Sequence, residues 1–170
     1  MKRELVLGCG FKKNFSINPN QTWECQSTID INPDAKPDIL MDLSDITKKL
    51  PFNDNTFEEI HAYEILEHIG QQGDYKLFFK QFEEYWRVLK PYGTMFITVP
   101  KHDELWAWGD PGHTRIINDG TLVFLDQEEY KKQIGITSMT DYRRIYKGNF
   151  VLMEIIDMDL SKAYILKAIK

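Results

Sequence analysis

The most constraining feature of this sequence lies near its start, where an apolar run ends in two closely spaced glycines. The segment LVLGCG, residues 5–10, begins with long and branched apolar side chains, which are typical of a buried strand. Glycine at the end of a strand lets the backbone approach a ligand at a point where a side chain would collide with it. The segment therefore predicts a first buried strand that opens into a ligand site.

The residues that follow the glycines do not look like a helix. The segment KKNFSINPNQ, residues 12–21, contains Pro19 and three asparagines, so it is predicted to be a loop. A dinucleotide site requires a third glycine at position 13 and a helix whose N-terminus holds the pyrophosphate, but that position is Lys13. This disfavours an NAD-dependent Rossmann enzyme and favours an adenosine ligand without phosphates, such as S-adenosylmethionine. A tight turn and a surface aspartate at Asp30 remain the alternative explanation.

The rest of the chain alternates strand-like runs with loops and helices. Six further strands are predicted, at STIDIN (27–32), DILMDL (38–43), EIHAY (59–63), TMFITVP (94–100), NFVLMEIID (149–157) and KAYILKAIK (162–170). Residues 74–89 carry aromatic residues at helical spacing, which predicts a helix with a buried aromatic face. Asn118 or Asp119, and then Asp126, are predicted to begin two short helices. This order predicts an α/β fold, a Rossmann-like, mostly parallel sheet with an antiparallel C-terminal hairpin, in a single domain spanning residues 1–170.

Composition narrows the classes of protein. The chain has 170 residues, 42% of them hydrophobic, and a formal net charge of -5, so we expect a folded domain that does not bind nucleic acid. It shows no secretory signal and no apolar run of the roughly 20 residues that a membrane span needs. Cys9 and Cys25 are expected to be reduced thiols in a cytoplasmic protein. The four histidines show no HExxH or Cys-x-x-Cys spacing, so no metal is predicted.

A resemblance to a known family supports the adenosine site. The segments LVLGCG, TIDIN, DILMDL, LPFNDNTFEEIHAYEILEHI and WRVLKPYGTMFITVP occur in this order between residues 5 and 100. Together they resemble the class I S-adenosylmethionine-dependent methyltransferases, and in particular small type-11-like members whose first helix is reduced to a loop. The resemblance implies the minimal class I methyltransferase fold, with S-adenosylmethionine as the methyl donor and S-adenosylhomocysteine as the product.

The same resemblance implies a set of cofactor-binding residues, all at or near the carboxyl ends of predicted strands. These residues are Gly8, Cys9, Gly10, Asp30, Ile31, Asp42, Leu43, Tyr63 and Glu64. The glycine segment would line the methionine and ribose, and Asp30 would accept hydrogen bonds from the ribose hydroxyls. Ile31 would pack on the adenine, Asp42 would accept from its amino group, and Leu43 would offer its backbone N–H to the ring. The last two residues would lie near the reactive methyl group.

Several of these assignments leave an alternative open. Ile31 can be a core residue, and Asp42 can cap the short helix predicted after it. His68, in the segment LEHI, matches the family pattern, but a lone histidine in an apolar turn is more often structural than catalytic. Glu67 is open in the same way.

The acceptor of the methyl group is expected to bind at the loop ELWAWGDPGHTRIIN, residues 104–118. Trp106 and Trp108 would wall the acceptor site or face the sulfonium cation. Asp110, His113 and Arg115 are the candidate catalytic residues, with His113 as a general base and Arg115 as a ligand for an acidic acceptor. The alternative is that this loop folds on itself and that Asp110 pairs with Arg115.

The resulting hypothesis is a methyltransferase that acts on a small-molecule or glycan-like acceptor. The competing hypothesis is a non-catalytic protein that binds the cofactor or serves as a scaffold. Because the first crossover is reduced, one wall of the cofactor site is either exposed to solvent or completed by a partner subunit. A homodimer is therefore a further hypothesis.

Overall fold

The computed structural model describes residues 3–11, 25–45 and 47–170, and the strands of these ranges form one sheet. The strands, in chain order, are β1 (Arg3–Leu7), β2 (Cys25–Asp30), β3 (Ile39–Leu40), β4 (Phe57–Tyr63), β5 (Leu89–Pro100), β6 (Phe150–Asp157) and β7 (Ser161–Ala168). Their order across the sheet is β3-β2-β1-β4-β5-β7-β6. The strands from β3 to β5 are parallel, and β7 pairs antiparallel with both β5 and β6. The mostly parallel sheet with an antiparallel C-terminal hairpin is therefore confirmed.

Strand β5 differs most from its predicted bounds. It begins at Leu89, five residues earlier than the sequence indicates, because the chain extends directly from the end of the preceding helix. Leu89 pairs with Phe57, and the register then shifts before Thr94 pairs with Glu59. The segment KPYG, residues 90–93, follows the predicted end of the helix and belongs to an irregular start of the strand.

The main helix, α1 (Tyr75–Val88), covers one face of the sheet. It begins where predicted, because the Asp74 side chain accepts a hydrogen bond of 3.1 Å from the Leu77 N–H. Its buried side chains include Phe78, Phe79, Phe82 and Tyr85. They pack into the same core as the apolar residues of β1, β4 and β5, which confirms the predicted aromatic face.

Three shorter helices follow: α2 (Leu105–Gly109), α3 (Asp119–Val123) and α4 (Gln127–Gln133). Asn118 and Asp126 cap the last two, as predicted. Helix α2 is a single turn inside the segment that was predicted to be irregular. None of the helices in the described ranges has both the length and the apolar character that a membrane crossing requires.

The strand order fixes where a ligand can bind. Strand β1 lies between β2 and β4, so the direction of winding reverses beside it, and open α/β sheets bind ligands at the carboxyl ends of strands at this point. Gly8 follows β1, Asp30 ends β2, and Met41 follows β3. These residues therefore meet at one edge of the sheet. The loop predicted at residues 12–21 lies outside the described residues.

Candidate functional site

Gly8 makes the close packing at the end of β1 possible. Its φ angle is 60°, in the left-handed region, and an added Cβ would lie 2.5 Å from Ile65 Cγ1. The next residue, Cys9, is buried, and its N–H donates to the Ile29 carbonyl at 3.2 Å. Gly10 also has a positive φ, of 51°, but an added Cβ would meet no atom within 4 Å. The first glycine therefore serves packing, whereas the second borders open space.

The carboxylate of Asp30 is held in place by two backbone groups. Its Oδ2 accepts from the Gly10 N–H at 2.8 Å, and its Oδ1 accepts from the Asn32 N–H at 2.8 Å. The residue is 9% exposed. Each carboxylate oxygen can accept more than one hydrogen bond, so both oxygens can still receive donors from a ligand. Asp30 is an oriented, charged acceptor that suits two neighbouring hydroxyl groups.

Asp42 shows the capping interaction that the sequence left open. Its Oδ1 accepts from the Ser44 N–H at 2.8 Å and from the Ser44 hydroxyl at 2.7 Å. The segment that it caps is a turn and not a helix. Its Oδ2 has no hydrogen-bond partner among residues 3–11, 25–45 and 47–170, and so this oxygen remains able to accept from a ligand.

These groups surround a cavity of about 220 Å³. Its lining in the described chain consists of Gly8, Asp30, Ile31, Met41, Asp42, Leu43, Ser44, Ile65, His68 and Ile69. Five of the nine predicted cofactor residues are thus brought together, and Ile31 is 64% exposed, so it is not a core residue. Of the remaining lining residues, which all follow the ends of β3 and β4, only His68 was considered from the sequence, and its role was left open.

Four predicted cofactor residues lie beside this lining or away from it. Cys9 is buried under it, and Gly10 borders it through its bond to Asp30. The Tyr63 hydroxyl lies 2.8 Å from His61 Nδ1, on a face of the sheet. Burial raises the pKa of Tyr63. Glu64 has a φ of 47°, a strained value for a residue with a side chain. The cofactor roles of these residues stay predictions.

A second group of polar residues lies next to the cavity. The 3₁₀ turn Leu66–His68 follows β4, and the predicted acceptor loop docks onto it. The N–H groups of Thr114 and Arg115 both donate to the Glu67 carbonyl, at 2.9 and 3.2 Å. These bonds bring the loop residues Asp110 and His113 beside Glu67 and His68, more than forty positions earlier in the chain.

In this group Glu67 is buried, the His113 side chain is nearly so, and the side chains of His68 and Asp110 reach the surface. Glu67 is 2% exposed, and neither of its carboxylate oxygens has a hydrogen-bond partner within the described part of the chain. Burial raises the pKa of Glu67 to about 8, and the nearby carboxylates of Glu64 and Asp110 add to this effect. His113 Nε2 lies 4.0 Å from Glu67 Oε1 and 3.9 Å from Asp110 Oδ2. These distances are too long for hydrogen bonds.

His68 connects the two groups. Its Nδ1 lies 3.1 Å from the Gly112 carbonyl oxygen, and its ring packs edge-on against the His113 ring at 4.6 Å between centroids. It also lines the cavity of about 220 Å³. A ligand in that cavity would therefore lie beside the polar groups of the loop.

Arg115 occupies a structural position. It is 5% exposed, and its Nη2 donates to the carbonyls of Gln71 and Asp74 at 2.9 and 2.6 Å. Asp110 instead accepts from the Gly112 N–H at 2.7 Å. The loop does fold on itself, but among the described residues the predicted Asp110–Arg115 ion pair is replaced by these contacts.

A larger cavity, of about 340 Å³, is lined in part by Arg115. It is lined by residues of α1, α3 and the segments around them, and none of the predicted cofactor residues contributes. Trp106 and Trp108, on α2, are 56% and 67% exposed and line neither cavity. Volume alone therefore does not identify the site, because the predicted cofactor residues line the smaller cavity.

Solved structures with the same architecture are known. A SAM-dependent methyltransferase from Archaeoglobus fulgidus aligns with 98% of this chain and 86% of its own, with a TM-score of 0.59 and 18% identity. The N-methyltransferase NodS from Bradyrhizobium japonicum WM9 aligns over 99% and 86%, with a TM-score of 0.60 and 12% identity. A SAM-dependent methyltransferase from Methanosarcina mazei aligns over 98% and 92%, with a TM-score of 0.57 and 16% identity. The chain has the class I methyltransferase fold.

The resemblance seen in the sequence is thus confirmed for the fold. Identities of 18% or less establish no acceptor and no chemistry. No family model matches the chain, and no curated protein is similar to it in sequence. The function must therefore be argued from the methyltransferase fold and the residues of the two polar groups.

Proposed function

We propose that this protein is an S-adenosylmethionine-dependent methyltransferase that binds its cofactor in the cavity of about 220 Å³. The observation that carries the proposal is the Asp30 carboxylate, which the Gly10 and Asn32 N–H groups aim at the edge of this cavity. A carboxylate in this position recognises the two hydroxyls of a ribose. The exposed Ile31 side chain then packs on the adenine, and Asp42 Oδ2 accepts from its amino group.

The methionine part of the cofactor extends from the glycine segment at Gly8 towards His68. Methyl transfer is an in-line displacement, so the protein mainly has to align donor and acceptor. A lone pair of the acceptor forms a bond to the methyl carbon while the carbon–sulfur bond breaks. The sulfur keeps the electron pair of that bond, and S-adenosylhomocysteine is released.

The acceptor, a small molecule or a glycan-like compound, approaches from the side of the 110–113 loop. Asp110 and His113 are the two predicted catalytic residues that lie beside His68, and the proposal keeps both at the acceptor. It assigns Arg115 to holding the loop, since two main-chain carbonyls already accept from its guanidinium group.

Calorimetry with the folded protein tests the cofactor site. We expect S-adenosylmethionine and S-adenosylhomocysteine to bind with micromolar affinity, on the order of -7 to -8 kcal/mol. Asp30→Ala should weaken binding by about 1.5–3 kcal/mol, because it removes charge-assisted bonds to the ribose. Asp34→Ala is the matched control, since this exposed aspartate lies four residues later in the turn after β2.

The outcomes separate the two function classes. No binding heat with either ligand, on a chain that melts cooperatively, would contradict the proposal. Binding without transfer of a labelled methyl group to any compound in a broad acceptor panel would favour the non-catalytic alternative. Transfer in the wild type that is lost in Asp30→Ala at low cofactor concentration would support the enzyme.

A further inference from the structure

The polar group beside the cofactor cavity has buried lone pairs that no described residue satisfies. Both carboxylate oxygens of Glu67, which is 2% exposed, are buried without a hydrogen-bond donor in residues 3–11, 25–45 and 47–170. One possible ligand atom from each of Glu67, His68 and His113 lies within 4.8 Å of the other two. Buried polar atoms without partners are rare because they are costly. A cation would satisfy the lone pairs of the Glu67 carboxylate, and the imidazoles of His68 and His113 lie close enough to bind the same ion.

We propose that Glu67, His68 and His113 bind a divalent transition-metal ion, with Asp110 as a fourth ligand. Two imidazoles with carboxylates suit Mn²⁺, Fe²⁺, Co²⁺ or Zn²⁺, whereas Mg²⁺ and Ca²⁺ prefer oxygen ligands throughout. The sequence predicts no metal because these ligands do not follow a known spacing. They come instead from a turn after β4 and from a distant loop.

The distances fit ligands of one ion better than partners of one another. Metal–nitrogen and metal–oxygen bonds of about 2.0–2.2 Å place two ligand atoms at most about 4.4 Å apart. His113 Nε2 is 4.0 Å from Glu67 Oε1 and 3.9 Å from Asp110 Oδ2. Side-chain shifts of a few tenths of an ångström would bring the 4.8 Å group into this range.

The surroundings of His68 match those of a metal-bound histidine. Such a histidine usually donates its other ring N–H to a carbonyl or a carboxylate, and this fixes the ring and its tautomer. The Nδ1 of His68 faces the Gly112 carbonyl at 3.1 Å, so it carries the proton and leaves a lone pair on Nε2. The Gly112 N–H donates to Asp110 Oδ1 at 2.7 Å. The loop that supplies Asp110 and His113 therefore also orients His68.

The ion would lie beside the cofactor, because His68 lines both the group and the cavity. This consequence rests on the proposed function, whereas the ion site itself does not. An acceptor hydroxyl bound to the ion becomes more acidic. Its proton passes to water, the alkoxide oxygen bonds to the methyl carbon, and the sulfur keeps the electron pair of the broken bond. The ion thus indicates an acceptor that is methylated on oxygen, with His113 acting as a ligand and not as a base.

Cobalt titration of the tag-free, chelator-treated chain tests the site. We expect one Co²⁺ per chain, visible absorption bands, and a micromolar or lower Kd. Glu67→Gln and His113→Ala should each weaken binding by about 100-fold or more, as expected for the loss of a ligand. His102→Ala is the matched control, because this histidine is half exposed and lies in the same region of the chain outside the group. Thermal melts in chelator establish that each variant is folded.

Two results would overturn the proposal. One is a wild-type chain that binds no Co²⁺ at about 1 mM. The other is a folded Glu67→Gln chain, or a folded His113→Ala chain, that binds the ion as the wild type does.

Cofactor binding measured on the same samples keeps the two proposals separate. Asp30→Ala should lose affinity for S-adenosylhomocysteine and keep Co²⁺, whereas His113→Ala should do the reverse. Once an acceptor is found, chelator should lower transfer by about 100-fold or more, and Co²⁺ or Mn²⁺ should restore it. Transfer that is unaffected by chelator but lost in His113→Ala would support a general base and contradict the metal.

Discussion

Two clusters of glutamate and histidine in this protein differ in how closely their carboxylates and imidazoles approach each other. In the sheet cluster, formed by Glu4, Glu59, His61 and Tyr63, His61 Nε2 lies 2.9 Å from Glu4 Oε1 and 3.1 Å from Glu59 Oε2. The loop cluster, formed by Glu67, His68, Asp110 and His113, has no such contact between its carboxylates and imidazoles, which approach no closer than 3.9 Å. The same residue types thus build a closed network in one place and an open one in the other.

The difference follows from how each cluster is assembled. Neighbouring strands hold the sheet cluster, since Glu4 pairs with Glu59 and the alternation of β4 places Glu59, His61 and Tyr63 on one face. The loop cluster depends on the docking of the 110–116 segment onto the turn after β4. Close contact between carboxylate and imidazole indicates a structural role, whereas a buried carboxylate held away from any imidazole indicates a place for a ligand.

Removing the histidine from each cluster gives the largest expected contrast. His61→Ala leaves the fully buried Glu4 carboxylate without its cation, so we expect the free energy of unfolding to fall by about 3–5 kcal/mol. His113→Ala should change it by less than about 1 kcal/mol in chelator, because His113 makes no hydrogen bond to the described carboxylates. Urea unfolding at pH 7 measures both. Equal losses in the two variants would remove the distinction between a closed and an open cluster.

The two glycines after β1 differ in the same way, since Gly8 is tightly packed and Gly10 borders open space. Gly8→Ala combines a left-handed φ of 60° with a contact of 2.5 Å to the Ile65 side chain, so we expect a loss of about 2–4 kcal/mol in unfolding free energy. Gly10→Ala has a similar φ but no neighbour within 4 Å, and the loss should be about 1–2 kcal/mol. Thermal or urea unfolding compares the two variants.

Calorimetry of cofactor binding to the same two variants tests whether the space beside Gly10 is part of the cofactor site. Gly10→Ala should weaken S-adenosylhomocysteine binding even though the chain stays folded, because its new methyl group enters the space beside Asp30. A Gly10→Ala chain with unchanged affinity would mean that the cofactor does not approach this glycine.

The sequence predicts the cofactor cavity better than the loop cluster, for a physical reason. Gly8, Asp30, Ile31, Asp42 and Leu43 line one cavity because each lies at or just after the carboxyl end of a parallel strand. Strand ends can be recognised locally, from apolar runs and the polar residues that end them. The sheet order then brings these residues together without further information.

The loop cluster could not be predicted in this way. Its assembly depends on the N–H groups of Thr114 and Arg115, which donate to the Glu67 carbonyl, and backbone groups leave no mark on the choice of residue. Arg115 illustrates the same limit, since its guanidinium group binds two main-chain carbonyls and not the carboxylate of Asp110. The sequence identified His68 and His113 separately but gave no reason to place them 4.6 Å apart.

The smallest expected effect is the part of the pH dependence of stability that comes from His61 in the sheet cluster. Burial by itself would lower the pKa of His61, but the Glu4 and Glu59 carboxylates raise it above the ordinary value of 6.5. The folded chain therefore binds this proton more tightly than the unfolded chain. The stabilisation is complete below pH 6.5 and is lost as the pH rises through the folded pKa. Glu59→Gln removes one of the two carboxylates, so the decline in unfolding free energy above pH 6.5 should become shallower than in the wild type. Glu67, whose pKa burial raises to about 8, contributes to the decline equally in both chains. Urea unfolding in chelator at several pH values between about 6 and 9 measures these slopes. If Glu59→Gln keeps the wild-type slope, the proton on His61 does not couple to folding, and the closed network is held by neutral hydrogen bonds.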